Sequence, residues 1–320
     1  MNFAEKILNR KESVFDVEIV TPAFALGADR EHAELREQTI NGLMRFWWRA
    51  FFGSDDLENM QKRESEIFGS TEKKSDLSIL IKDKNLKINK NNLPKGSEIF
   101  NEGKSGFIHP YLSYGVSNKE YIEPGSKFKL HLSYSGKNEE EILTSLFILT
   151  SFGGIGARSR NGYGSINIED LLTFKPDFNK INKNLKRFTS FSNESKVYSF
   201  SNKNKYYEAH YEAGLAYARS KISLEPKHND EKRRYIAKPI NVKKRTPDRN
   251  ITNKRHSKQY FIKVTKRKDN TLQSFILHLP HSFYQGNENL EYKKTHTLMN
   301  QELKKNGARE QSIEEALNDK

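Results

Sequence analysis

The chain has 320 residues, 35% of them apolar, with 55 lysines and arginines against 41 acids and a formal charge of +14. That length suits two domains, and its periodic apolar segments mark a folded chain with a heavily charged surface. Cysteine is absent, which excludes disulfides, thiolate metal sites and thiol catalysis, and no apolar run reaches the roughly 18 residues of a membrane span.

In chain order, the opening "MNFAEKILNRKESVFDVEIV" has no apolar leader core, so the expected location is the cytoplasm. "SVFDVEIV" alternates and is β-branched, which predicts a strand from Val14 to about Val20, broken at Pro22. After the polar loop "GADREHAELREQ", "INGLMRFWWRAFFG" predicts a helix capped by Thr39 and stopped at Gly53, with Leu43, Phe46, Trp47 and Ala50 near helical spacing. "LENMQKRESEIFGS" predicts a second, shorter helix ending at Gly69. "DLSILIKDKNLKI" (76–88) reads as a strand or hairpin, and "NKNNLPKGSEIFNEGKSG" as an insertion. "GSKFKLHLSY" alternates Phe128, Leu130, Leu132 and Tyr134 on one face. "NEEEILTSLFILTSFGG" places three acids in the first turn of a helix, where they favour the positive end of its dipole. A glycine-rich loop and the strand "YGSINIEDL" follow.

The resulting order, β-α-(α)-β-β-α-β, is that of a ferredoxin-like fold, the architecture also used by the RRM. Beyond residue 172, "FKPDFNKINKNLKRFTSFSNESK" reads as a linker. "KYYEAHYEAGLAYARSKI" reads as a helix, the two alternating runs around "RKDNT" as a hairpin, and "LMNQELKKNGAREQSIEEALNDK" as a helical tail. The expected class is α+β with two ferredoxin-like domains, 1–172 and a divergent 173–320.

The positive charge is uneven: positions 227–268 hold 16 basic and 3 acidic residues. A concentrated patch suits a polyanion, whose neutralisation releases counterions; elsewhere the lysines suit a solvated surface. Within the patch, Lys243, Lys244, Arg245, Lys254 and Arg255 are candidate RNA contacts, with Tyr235 and Tyr260 beside arginine pairs as stacking partners.

The loop "SFGGIGARSRNGYGSI" has five glycines between Gly153 and Gly164, and Arg158 and Arg160 among them. Glycine admits close approach of another backbone, exposed N–H groups form an anion-binding concavity, and arginine forks match phosphate oxygens. Gly153, Gly154, Gly156, Gly162, Arg158 and Arg160 are therefore candidate phosphate contacts. The competing reading is a helix end followed by a bend, with solvated arginines. The loop is not a P-loop, because no Gly-Lys-Ser/Thr ending is present and the glycines precede a strand.

This loop resembles the glycine-rich loop of the RAMP superfamily of CRISPR proteins. "ELREQTINGLMRFWWRAFFG" (34–53), "IFGS" (67–70) and the opening "VEIVTPAFALGAD" are similar to the first subunits of type III-B (Cmr) effector complexes, and the resemblance covers roughly 14–168. It implies ferredoxin-like units, binding of guide RNA near its 3′ region and of the paired target RNA, a place at the end of the filament, other Cmr subunits as partners, the loop residues Gly153 to Gly164 against RNA or against the neighbouring subunit that holds it, and no target-cleaving residue of its own. Arg45 and Arg49, four apart on one helix, and Arg36 before its N-terminus are further candidate RNA contacts, with Trp47 and Phe46 in the core. No cofactor, metal or membrane is expected. The alternative is a metal-independent endoribonuclease processing CRISPR RNA, for which Asp29 and His32 supply an acid and a base. A general RRM-like protein is a third reading, but the aromatic strand motif of that module is not evident. His278 and His281 lie in "LHLPH", where Pro280 breaks helical ligand geometry.

Overall fold

The structure, a computed structural model, describes residues 9–96, 107–181, 184–224, 232–237, 257–282 and 284–318. Two four-stranded antiparallel sheets, one from each half of the chain, organise it.

The first half runs β1 (Arg10–Ile19), α1 (Glu37–Phe52), α2 (Leu57–Phe68), β2 (Ser78–Asn85), β3 (Ile88–Lys90), α3 (Ile108–Leu112), β4 (Glu120–Ile122), β5 (Lys127–Ser135), α4 (Glu139–Phe152) and β6 (Ile166–Asn167). Its sheet has the order β2-β5-β1-β6. The expected alternation is present: Phe15 pairs with Leu130 and Val17 with Phe128, all four facing inward. The 76–88 segment is not a hairpin, since β3 pairs with β4 in a separate two-stranded sheet.

Helix α1 buries Ile40, Met44, Trp47, Trp48, Ala50 and Phe51, a stripe at spacings of three and four that fits one helical face. It starts earlier than Thr39 predicts: Arg36 precedes its first turn, and no side chain caps it. Gly53 does end it, and Gly69, at φ +83°, ends α2. Helix α4 is apolar on all sides after its acidic first turn, with every residue from Thr144 to Phe152 buried. A helix of that composition belongs inside a protein, and α4 packs against α1 and against the second sheet.

The second half runs β7 (Lys196–Lys203), α5 (Tyr206–Ser223), α6 (Arg233–Ile236), β8 (Tyr260–Lys266), β9 (Leu272–His278), α7 (Gly286–Lys305), β10 (Arg309–Gln311) and α8 (Ile313–Asn318), with sheet order β10-β7-β9-β8. The hairpin around "RKDNT" is β8–β9. The tail is not wholly helical, because β10 interrupts it and pairs with β7. Alternate residues of β8 serve different cores. Phe261 joins Trp47 and Phe191 in one, while Tyr260 and Ile262 join Tyr217 and Met299 in the other. This sheet is thus covered on both faces, which is why β8 is buried from Tyr260 to Thr265.

Residues 173–195 are more than a linker. Phe191 is fully buried against Trp47, Phe51 and Phe152, and its N–H bonds the Ala50 carbonyl at 2.8 Å. Truncating an aromatic at such a position costs roughly 3–5 kcal/mol. Among the described residues, no helix is long and apolar enough to cross a membrane.

Candidate nucleic-acid interface

The glycine-rich loop connects α4 to β6, and what approaches its backbone is this chain itself. The Ile155 N–H donates to the Gly164 carbonyl at 2.7 Å, the Ala157 N–H to Phe24 at 2.9 Å, and the Gly164 N–H to Pro22 at 2.8 Å. Gly156 has φ +87°, and a Cβ there would lie 2.4 Å from the Phe24 carbonyl oxygen. Gly162, at φ +88°, sits against the second half, where a Cβ would meet the His210 ring at 2.7 Å and Ile262 at 2.9 Å. Gly153 and Gly154 are buried, closed by Trp47 and by Tyr163. The glycines expected at RNA are therefore taken up by internal packing.

The far side of the loop is sewn to β8. The Ile262 N–H donates to the Arg160 carbonyl at 3.1 Å, and the Val264 N–H to Ser165 Oγ at 3.2 Å. Lys263, fully buried, donates from Nζ to the Gly153 and Ile166 carbonyls at 2.9 and 3.1 Å. Sequence reasoning missed this lysine, because it sits inside the basic segment and reads as one more surface charge.

The two loop arginines divide. Arg160 is half-buried over the rings of Phe46 and Phe261, 5.3 and 4.8 Å from their centroids, and burial lowers its pKa. Its Nη1 donates to the Lys258 carbonyl at 3.1 Å. Arg158 is exposed, in the left-handed region at φ +61°. Lys258 lies over the Tyr217 ring at 3.9 Å and donates to the Arg160 carbonyl and to Asn161 Oδ1. Burial pushes its ammonium well below the ordinary lysine pKa, and Lys221, Arg160 and Arg158 push the same way. Among the described residues, no carboxylate pairs with Arg158, Arg160 or Lys258. Like charges gathered without a counter-ion repel, and an anion relieves that repulsion.

The helix arginines are different. Arg45 and Arg49 both reach Glu64 of α2, at 3.1 and 3.6 Å, and Arg45 also donates to the Gly69 carbonyl. Their charge is matched internally, and Glu64 carried no signal in the sequence. Arg36 donates to the Leu26 carbonyl at 3.3 Å and lies 3.8 Å from Glu34. Trp47 and Trp48 are core residues, Trp48 donating from Nε1 to Glu141 at 2.7 Å. Tyr235 and Tyr260 are not free to stack on bases: both are buried, Tyr235 among Tyr284 and Tyr292, Tyr260 parallel to His278 at 4.3 Å. Lys243, Lys244, Arg245, Lys254 and Arg255 lie outside the described residues.

Asp29 and His32 form an exposed ion pair at 2.5 Å, and Asp29 also accepts the Glu31 and His32 N–H groups. These bonds hold the Asp29 carboxyl well below its ordinary pKa and, chiefly through the Asp29 bond, raise that of His32. The arrangement closes a turn. His278 and His281 are both buried. Among the described residues no group of three or more His, Asp or Glu is placed to hold a metal. The outward face of the first sheet carries Val14, Asp16, Leu80 and Lys129, without the aromatic platform of an RRM.

Residues 16–167 match the RAMP superfamily. The match spans the glycine-rich loop and the double-tryptophan helix, the two motifs that carried the resemblance. Among curated relatives, the CRISPR system Cmr subunit Cmr1-2 of Pyrococcus furiosus is 29% identical over 182 residues, covering 50% of this chain and 96% of that protein. Cmr1-1 of the same organism is 32% identical over 168 residues, covering 48% of this chain and 46% of that one. The crystal structure of Pyrococcus furiosus Cmr1 in its apo form superposes with a TM-score of 0.59 at 18% identity, over 94% of this chain and 98% of that one. A chain of the type III-B Cmr-beta complex bound to cognate target RNA superposes at 0.53 with 12% identity, over 89% and 99%. These superpositions extend the shared fold from the matched half to nearly the whole chain.

Proposed function

We propose that this chain is an RNA-binding, non-catalytic subunit of a cytoplasmic type III-B CRISPR effector complex, holding the guide RNA 3′ region and target RNA at the end of the filament beside other Cmr subunits. The observation that carries this reading is the cluster of Arg158, Arg160 and Lys258, which no carboxylate among the described residues neutralises. It stands where the glycine-rich loop meets β8, and in the sequence the basic stretch 238–255 comes shortly before Lys258. The relatives' names and the complex with target RNA support the biological setting.

Two ferredoxin-like units, 1–172 and 173–320, belong to the same proposal. Each four-stranded sheet places its first strand beside its third and fourth, with the second at the far edge, the order a split βαβ pair produces. The endoribonuclease alternative rests on Asp29 and His32, whose mutual ion pair occupies both groups in a turn.

The test is an equilibrium titration of labelled single-stranded RNA with the purified protein across a salt series. Binding that weakens with salt, and a shallower slope for Arg158→Gln, is expected. RNA left unbound, or cut in a manner abolished by His32→Ala, contradicts the proposal.

A further inference from the structure

Among the described large apolar side chains that face solvent, Tyr114 is the most exposed, at 77%. An isolated exposed ring needs no explanation, but this one has a particular place. It occupies the turn Ser113–Val116, closed by the Val116 N–H bonding the Ser113 carbonyl at 2.9 Å. Leu112, Ser113 and Val116 on either side are buried. The Ser113 hydroxyl donates to the His109 carbonyl at 2.8 Å. The base of the turn is fastened to the glycine-rich loop, since Asn161 Nδ2 donates to the Leu112 carbonyl at 2.8 Å. The turn is thus a fixed mount with one aromatic ring projecting from it.

Arg158 reaches the same turn at the residue that follows the tyrosine. A Cβ at Gly115, which has φ +83°, would lie 3.2 Å from Arg158 Nη2. With no side chain there, the guanidinium is left uncovered against the turn that carries Tyr114. Arg158 has no ion-pair partner among the described residues, and Lys258 and Arg160 lie close enough to act on each other's charge.

We propose that Tyr114 is a base-stacking residue, and that Tyr114 and Arg158 together form a one-nucleotide subsite for single-stranded RNA, the ring taking a base and the guanidinium its phosphate. The proposal rests on the RNA-binding reading above and adds a residue to it. An aromatic ring beside an unneutralised cation is the combination that single-stranded nucleic acid engages, because every base has a stacking face and every nucleotide a phosphate. A peptide partner complementary to the same cations would supply carboxylates and need no aromatic face. The ring's exposure means that its removal leaves the core untouched.

The experiment uses the full chain and two fluorescent probes of equal length, an oligouridylate and the same backbone carrying abasic residues. Tyr114→Ala is expected to weaken oligouridylate binding roughly 5- to 100-fold, to leave the abasic probe's affinity unchanged, and to leave the salt slope as it is. Tyr114→Phe should bind like the parent, because the ring is retained. Arg158→Gln should weaken both probes and flatten the slope by about one counterion. Equal loss on both probes for Tyr114→Ala, or no loss while Arg158→Gln still weakens binding, overturns the stacking subsite and leaves the RNA-binding reading standing. RNA affinity kept by Tyr114→Ala together with lost co-purification of other subunits overturns it in favour of a protein contact. Indifference of both probes to Arg158→Gln as well defeats the underlying reading.

Discussion

Lys263 of β8 places its ammonium nitrogen 2.9 Å from the Gly153 carbonyl at the end of α4, so a single buried side chain ties the second sheet to the first half's central helix. The same nitrogen holds the Ile166 carbonyl of β6 at 3.1 Å.

Lys263→Met keeps the length of the side chain and deletes the donor. Two buried carbonyls then lose this bond, and an unsatisfied buried polar group costs about 1–3 kcal/mol. Urea denaturation should show a lower midpoint. The RNA affinity of the remaining folded protein should stay within twofold, because Arg158 and Lys258 are untouched.

Gly156→Ala tests the loop's internal role. Its φ of +87° and the 2.4 Å approach to the Phe24 oxygen leave no room for a methyl group. The expected loss exceeds about 1 kcal/mol, visible as a lower melting temperature with or without RNA. An unchanged melt would show that the backbone can move away from Phe24.

Arg158 and Arg160 should separate in a paired experiment. Arg158→Glu changes an exposed residue and should shift stability by no more than about 0.5 kcal/mol, while reversing the charge offered to phosphate and reducing RNA binding. Arg160→Glu removes the cation from above Phe46 and Phe261 and puts a carboxylate in a half-buried seam, so its melt should fall. Equal melting behaviour for the two variants would contradict the division of roles between them.

Acid should destabilise the fold through its buried histidines. Burial pushes His109, His210 and His278 below the ordinary value of 6.5, His210 to about 4. The folded state keeps them neutral, whereas the unfolded chain takes up protons as pH falls through about 6.5. Stability is therefore complete above that pH and is lost progressively below it, with His210 alone contributing on the order of 3 kcal/mol by pH 4. Denaturation midpoints at pH 7.5, 6 and 5 should decrease in that order, and His210→Gln should flatten the decline.

Much of the framework was legible because it is periodic. Phe15 and Val17 on β1, the alternation of β5, the hairpin around "RKDNT" and the tryptophan helix all announce a buried face at spacing two or three to four. Elements too short to carry a period were less so: β10, with three residues, lies in what reads as a helical tail, and the strand read at "YGSINIEDL" is only two residues long. Polar pairings between distant segments leave no mark either, so Glu64 beneath Arg45 and Arg49, and Lys263 beneath Gly153, were invisible. Tyr235 and Tyr260 misled for the opposite reason. Basic neighbours in sequence suggested a stacking surface, while burial between packed layers decided their place. The glycines of the loop did signal close approach, but a sequence does not say whose backbone approaches.

The seam between the glycine-rich loop and β8 also sets a schedule for synthesis. Gly162 packs on Ile262, a residue one hundred positions later, and Arg160 exchanges bonds with Lys258. When the first half leaves the ribosome, the loop has its contacts to Pro22 and Phe24 but nothing to lean on at its other side. A chain made from the N-terminus at roughly 5–20 residues per second waits several seconds between emergence of the loop and arrival of the strand that completes it. The cationic cluster is assembled only at that late moment, so the unfinished protein lacks the site proposed above to meet RNA.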